Sequence, residues 1–311
     1  MKNKRLIIGS RSSKLAMVQA QYVMNELKKF YPTRDLSIKT IKTTGDNIQD
    51  ISLSKIGGKG LFTKEIEEAL LARDIDLAVH SMKDLPTELP EGLKVAAVTK
   101  REDPRDVLVS RQGFTIKTLP KGSKVGTSSP RRQAQLMHIR KDTDVRDLRG
   151  NLDTRIKKME QGLYDAIIVA YAGIKRMGYT VKLSAISTDA MLPQAGQGAL
   201  GIEVLKDSGE FEEIARALDD ADCHMAIDAE RALLSGLEGG CQVPVGVYAE
   251  IVGDQVRIKA GVFSPDGKNA IRDEISGDKI DAEGLGRALA DRILKNDLAR
   301  QILHEAREGI R

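Results

Sequence analysis

The sequence predicts an α/β protein of more than one domain, with mainly parallel central sheets and a small α+β end. Three observations predict it. Short apolar runs alternate with stretches of helical spacing through the first half. The same alternation restarts after the polar stretch Lys100 to Asp106. Past Val243 the pattern becomes strand-like, broken at Gly253-Asp254 and at Pro265-Asp266-Gly267, two hairpin-turn sequences.

Leu6 to Gly9 reads as a strand, and Ser12 to Phe30 follows as a helix with apolar residues at Leu15, Val18, Tyr22 and Leu27. Leu36 to Thr43 alternates as a second strand. Thr63 to Ala72 returns to helical spacing, and Asp76 to His80 is a strand that runs into Ser81-Met82-Lys83-Asp84. This βαβα order implies a parallel sheet covered by helices. After the restart, strands are expected at Val107 to Ser110, Lys124 to Thr127 and Asp165 to Ala170. Between them, Ser129 and Pro130 form a cap and first-turn pair for a helix carrying Arg131 and Arg132. Asn151 caps a further helix that ends at Gly162. A helix over Ala226 to Ser235, three strands and a closing helical pattern from Glu283 to Leu303 complete the chain.

Length and composition agree with this class. A chain of 311 residues suits two or three domains. With 41% hydrophobic and 30% charged residues it is an ordinary globular sequence. Its 4% aromatics and absence of Trp leave the cores to Leu, Ile, Val and Ala. No apolar run approaches the roughly 20 residues that span a bilayer. The apolar part of the N-terminus is too short for a signal-peptide core, so a cytoplasmic protein that does not bind membranes is expected. Cys223 and Cys241 do not make a disulfide framework.

Several familiar motifs fail in context. Gly196-Gln197-Gly198-Ala199-Leu200-Gly201 has dinucleotide spacing but leads into a strand, and Gly57-Gly58-Lys59-Gly60 lacks the rest of a phosphate loop. His80, His138, His224 and His304 stand too far apart for metal ligation, so no metal is expected. Dispersed basic residues and scarce aromatics argue against nucleic acid.

The arginines are more informative. Arg11, Arg131, Arg132, Arg149 and Arg155 fall at strand ends or first helical turns. Helix N-termini attract anions, and guanidinium forks bind carboxylates through paired hydrogen bonds. One such arginine reads as a solvated charge; five read as anion receptors at the carboxyl ends of strands. Asp84 also follows a strand end, where spacing leaves it open between a turn cap and a cleft carboxylate. Cys241, between two glycines and Gln242-Val243-Pro244, sits in a tight loop, whereas Cys223 reads as a small buried hydrophobe.

Taken together, Ile56 to Phe62, AVHSMKDLP (Ala78 to Pro86), REDPRD (Arg101 to Asp106), GTSSPRRQ (Gly126 to Gln133), LRGN (Leu148 to Asn151) and LEGGCQVPVG (Leu237 to Gly246) resemble the porphobilinogen deaminase family over nearly the whole chain. The resemblance implies three domains. Two resemble type II periplasmic binding proteins and span 1–99 with 200–219, and 100–199; a third, of α+β type with a three-stranded antiparallel sheet, spans 220–311. It implies a transferase that joins four porphobilinogen molecules head to tail into hydroxymethylbilane and releases ammonia. The chain grows on one covalent dipyrromethane cofactor per protein chain, held by a thioether that matches Cys241; a thiolate suits that bond.

The same resemblance assigns roles. Asp84 matches the catalytic aspartate. Lys83, Asp84, Ser81, Thr127, Ser128, Ser129, Arg131, Arg132 and Arg155 match cofactor-binding positions. Arg11, Ser13, Gln19, Arg149, Arg155, Arg176 and Gln197 match substrate-binding positions. A monomer is expected. The alternative is a non-catalytic anion sensor of binding-protein type, which needs neither Cys241 nor Asp84.

Overall fold

The computed structural model describes residues 5–47, 60–237 and 243–308. They fall into two compact units. One comprises the described parts of 1–49, 58–102 and 199–224; the other comprises 103–198 and the described parts of 225–311. The strands in chain order are β1 (Leu6–Arg11), β2 (Leu36–Ile41), β3 (Leu77–Ser81) and β4 (Leu93–Val98) in the first unit, then β5 (Asp106–Ser110), β6 (Lys124–Gly126), β7 (Asp144–Arg146), β8 (Ala166–Ala170) and β9 (Leu183–Ala185) in the second. The chain returns to the first unit as β10 (Leu200–Leu205) and ends in the second with β11 (Val245–Val252), β12 (Gln255–Phe263) and β13 (Ala270–Asp278).

The first unit holds a five-stranded sheet in the order β2-β1-β3-β10-β4. Strand β1 runs parallel to β2 and β3, whereas β10 is antiparallel to both β3 and β4. One strand is therefore reversed among four that share a direction. Alternation along each strand builds a core on either face. Leu77 and Val79 join Ile202 and Val204 beneath Val23 and Leu27 of the helix Lys14–Phe30. Ala78 packs on the other face under Ile66 and Leu70 of the helix Lys64–Leu71. Burying each such Leu or Ile contributes about 1.5–3 kcal/mol.

The second unit repeats the plan: its five-stranded sheet runs β7-β6-β8-β5-β9, with β6 parallel to β7 and β8 and with β5 antiparallel to its neighbours. Val107, Val109, Ile167 and Val169 pack under the helix Leu152–Glu160, and Leu108 and Ile168 pack with Leu136 of the helix Pro130–Ile139. Each sheet is thus mainly parallel, as the βαβα order implies, with β5 and β10 the reversed strands, whose direction periodicity does not report.

The last three strands form an antiparallel sheet in the order β11-β12-β13. Its hairpins turn at Gly253 (φ 63°) and near Gly267 (φ 68°), left-handed conformations that glycine adopts without strain. A side chain at Gly267 would also meet the backbone of Met137 and His138. The closing helical pattern is two helices, Ala282–Leu294 and Asp297–Glu308, parted at Lys295-Asn296. Both pack on the sheet together with the helix Ala221–Gly236. Within this unit, Val247 N–H donates to Pro193 O at 2.9 Å and His138 Nδ1 lies 2.9 Å from Gly267 O. Among the described residues, no helix is long and apolar enough to cross a membrane.

Candidate polycarboxylate site

Residues singled out in the first unit gather where β1 and β3 end. Arg11 is the last residue of β1, and its guanidinium lies 4.2 Å from the Phe62 ring centroid. Ser13 caps the next helix by accepting from Ala16 N–H. Further along that helix, buried Gln19 donates through Nε2 to Ser81 Oγ at 2.9 Å and so holds the last residue of β3. Beyond Ser81 the chain makes a single 3-10 turn, Met82–Asp84. Met82 is buried and acts as the anchor, while Asp84 is exposed and Lys83 partly so. A carboxylate and an ammonium are thus presented side by side at a strand's carboxyl end.

In the second unit the strand-to-helix turn after β6 carries Thr127, Ser128 and Ser129. Thr127 is fully buried, and its hydroxyl accepts from Ser129 N–H at 3.3 Å. Ser128 Oγ accepts from Leu148 N–H and donates to Leu148 O, each at 2.9 Å, which fixes the backbone next to Arg149. Ser129 caps the helix by accepting from Arg132 N–H, with Pro130 in the first turn. Arg149 lies three residues past β7, in the turn before the next helix, and its Nη2 is 3.9 Å from Asp147. Arg155 Nε donates to Gly150 O at 2.7 Å and Arg176 Nη2 to Gly198 O at 2.7 Å. Asn151 stands at the helix N-cap without a side-chain cap bond.

Arg131 and Arg132 are only 3% and 7% exposed. Both converge on the fully buried Asp106. Arg132 donates through Nε and Nη2 to Asp106 Oδ1 at 3.0 and 2.8 Å, and Arg131 Nη1 lies 2.8 Å from Oδ2. Gln197 closes the cluster, donating to Pro104 O at 2.7 Å and Asp106 Oδ1 at 3.0 Å while accepting from Arg132 Nη2 at 3.2 Å. Burial alone would push the Asp106 carboxyl up; Arg131 and Arg132 outweigh it and hold the group well below the usual carboxylate range. Burial pulls the Arg131 guanidinium down, with Asp106 opposing.

One edge of Arg131 is buried and unpaired. Its Nε and Nη2 are buried without hydrogen-bond partners. Beside it, Ser129, Gln194, Ala195, Leu234, Val243 and Val245 line a small recess. Two N–H groups of one guanidinium, aimed together, suit a carboxylate. Cys241 lies outside the described residues, as does most of Ile56 to Phe62. Sequence reasoning missed two carboxylates of this region, Asp106 and Glu230. Glu230 accepts from Gly196 N–H and Ala249 N–H, both at 2.8 Å, and so secures the loop that carries Gln197.

Fold and site define a class: a two-unit α/β protein with guanidinium groups at strand-to-helix turns, a buried carboxylate under two of them, and an antiparallel C-terminal sheet. Residues 6–213 match the family model "Porphobilinogen deaminase, dipyromethane cofactor binding domain", and residues 224–295 match "Porphobilinogen deaminase, C-terminal domain". The chain belongs to the porphobilinogen deaminase family, the hydroxymethylbilane synthases: transferases of tetrapyrrole biosynthesis that carry a dipyrromethane cofactor. It is 50% identical over 293 residues to porphobilinogen deaminase of Chloroherpeton thalassium, covering 93% of each chain. It is 48% identical over 305 residues to that of Carboxydothermus hydrogenoformans, covering 98% of each. The periplasmic VFT2 domain of Bordetella pertussis BvgS matches 69% of this chain and 86% of its own with 12% identity and a TM-score of 0.41. The comparisons favour the enzyme over the anion-sensor alternative.

Proposed function

We propose that this chain joins four porphobilinogen molecules head to tail into hydroxymethylbilane, with one ammonia released per unit added, on a dipyrromethane cofactor bound through a thioether to Cys241. The observation that carries the site assignment is the unpaired edge of Arg131. A buried guanidinium with two unpartnered N–H groups is costly to maintain and is repaid when a carboxylate arrives. Val243, two residues after Cys241 in the chain, lines the recess beside it, which supports a pyrrole side-chain carboxylate as the partner of these N–H groups. When bound, the cofactor supplies the free pyrrole carbon on which the product grows.

The chain's own residues then have distinct tasks. Asp84 is exposed on its short turn, where a carboxylate accepts from pyrrole N–H groups and stabilises positive charge developing on the ring. Lys83 and Ser81 flank it, with Ser81 oriented by Gln19. Asp106 holds Arg131 and Arg132 in fixed orientation, which lowers the entropy lost on binding a carboxylate. Thr127, Ser128 and Ser129 shape the turn beneath them. Arg11, Ser13, Arg149, Arg155 and Arg176 serve the carboxylates of incoming and bound pyrroles, and Gln197 acts on them through the Asp106 and Arg132 side chains it holds. The chain works as three functional domains, 1–99 with 200–219, 100–199 and 220–311, as a cytoplasmic monomer.

The test is turnover with porphobilinogen. Four ammonia released per linear tetrapyrrole, with activity lost in Asp84→Asn but binding retained, is the expected result. Ammonia release unchanged in Asp84→Asn removes Asp84 from catalysis.

A further inference from the structure

The first unit buries an ionisable cluster on the sheet face away from Gln19. Leu77 and Val79 of β3 lie under the helix Lys14–Phe30, so Ala78 and His80 take the opposite face, under the helix Lys64–Leu71. On β10, Ile202 and Val204 share the face of Leu77 and Val79, which turns Glu203 toward His80. His80 Nε2 lies 3.0 Å from Glu203 Oε2, with the side chains 3% and 0% exposed. The helix Lys64–Leu71 adds Glu67, which is 6% exposed. Burial raises the Glu67 carboxyl, Thr63 opposes that rise, and Glu203 adds to it. Glu67 Oε1 and Glu203 Oε1 are both buried without hydrogen-bond partners.

Such a cluster is poor cement. Removing an imidazole and two carboxyl groups from water offsets most of what their attraction returns, and an apolar set of equal volume would pack at least as firmly. What a directional buried pair contributes is a unique alignment of its strands. That is what this strand pair requires. In the ladder, His80 faces Gly201 and Ala78 faces Glu203, so the bond crosses diagonally between β3 and β10. The register of β10 against its other neighbour, β4, shifts between Ile202 and Glu203. A slip of one residue would turn every side chain of the strand to the wrong face. The residue after His80 is Ser81, and the turn carrying Lys83 and Asp84 follows at once.

We propose that His80 and Glu203 are positioning residues: their buried bond pins the register of β3 against β10 and thereby sets the place of the Ser81–Asp84 turn. The β3 terminus is then clamped from both faces, by Glu203 on one and by Gln19, through Ser81, on the other. The catalytic consequence rests on the role given to Asp84 above; the clamp itself does not.

Amide hydrogen exchange of the Ser81–Asp84 backbone, measured beside kcat and KM, tests this in the full-length protein. The double variant His80→Leu with Glu203→Leu keeps the interface apolar and filled, and Glu203→Gln keeps the size of the side chain and a hydrogen-bonding partner for the imidazole. Expected for the double variant are a melting temperature at or above that of the parent, exchange at 81–84 about tenfold faster, and kcat about tenfold lower at little changed KM. Glu203→Gln is expected to stay within about threefold of the parent in both exchange and kcat. Parent-like exchange at 81–84 in a folded double variant overturns the proposal. Should the double variant not fold, His80→Asn takes its place with the same reading. Faster exchange with unchanged kcat would leave the clamp standing and count against Asp84 as the catalytic group.

Discussion

Asp106→Asn is the most informative single perturbation of the second unit. The substitution keeps the size of the side chain and some of its hydrogen bonds but removes the negative charge facing two guanidinium groups that are 4% and 8% exposed. Breaking a buried pair from one side costs about 3–5 kcal/mol, because the partner charge stays buried and uncompensated. That is a large share of the roughly 5–15 kcal/mol by which folded domains are stable. At about 2–4 °C per kcal/mol for units of this size, the melting temperature should fall by about 6–20 °C. Calorimetry or far-ultraviolet circular dichroism is the appropriate assay, since the chain has no Trp to report by fluorescence. The sign with pH follows from the depressed carboxyl. Its contribution is complete above the ordinary value of 3.8 and is lost as pH falls through the lower folded value. Parent and variant should therefore converge only in strong acid. A variant that melts within about 2 °C of the parent at neutral pH would refute the view that Asp106 compensates Arg131 and Arg132.

Other expectations follow from the same geometry. Asp84→Asn should lower kcat by at least about 100-fold while moving stability by no more than about 0.5 kcal/mol, since Asp84 is exposed; paired kinetics and melting decide it. Ser128→Ala removes both bonds to Leu148 and should cost about 1–2 kcal/mol, read by denaturant titration, and raise KM through Arg149 more than it lowers kcat. Gly267→Ala places a Cβ at 2.6 Å from His138 N in a left-handed conformation, and a loss of about 1–3 kcal/mol is expected in the same titration.

Much of this molecule is legible from its residues, and the gaps have physical causes. Ser129 followed by Pro130 marks a helix start, and the structure begins that helix at Pro130. Gly253-Asp254 and Pro265-Asp266-Gly267 mark hairpins found in the antiparallel sheet. Strand direction left no trace, because β5 and β10 are buried on both faces as parallel strands are. The strand expected to end at Arg149 is β7, which stops at Arg146 and leaves Arg149 in the turn, and the three-residue β9 is too short for a period to show. One helical pattern became two helices because the apolar spacing continues across the break at Lys295-Asn296.

The site divides in the same way. The arginines at strand ends are visible in the sequence; the pairing of Arg131 and Arg132 with a buried carboxylate is not. Asp106 sits in a different motif from Arg131 and Arg132, and only the sheet brings the three together. Glu230 reads as one polar position on a helix until its two backbone partners are seen. His80 looked like an isolated histidine because its partner is 123 residues away.

A covalent dipyrromethane on Cys241 is read from the intact mass of the denatured protein measured beside Cys241→Ser. The parent is expected to be heavier than its bare sequence by two deaminated pyrrole units and the variant to show no such excess. A parent that matches its bare sequence, and still gains no mass after incubation with porphobilinogen, would contradict it.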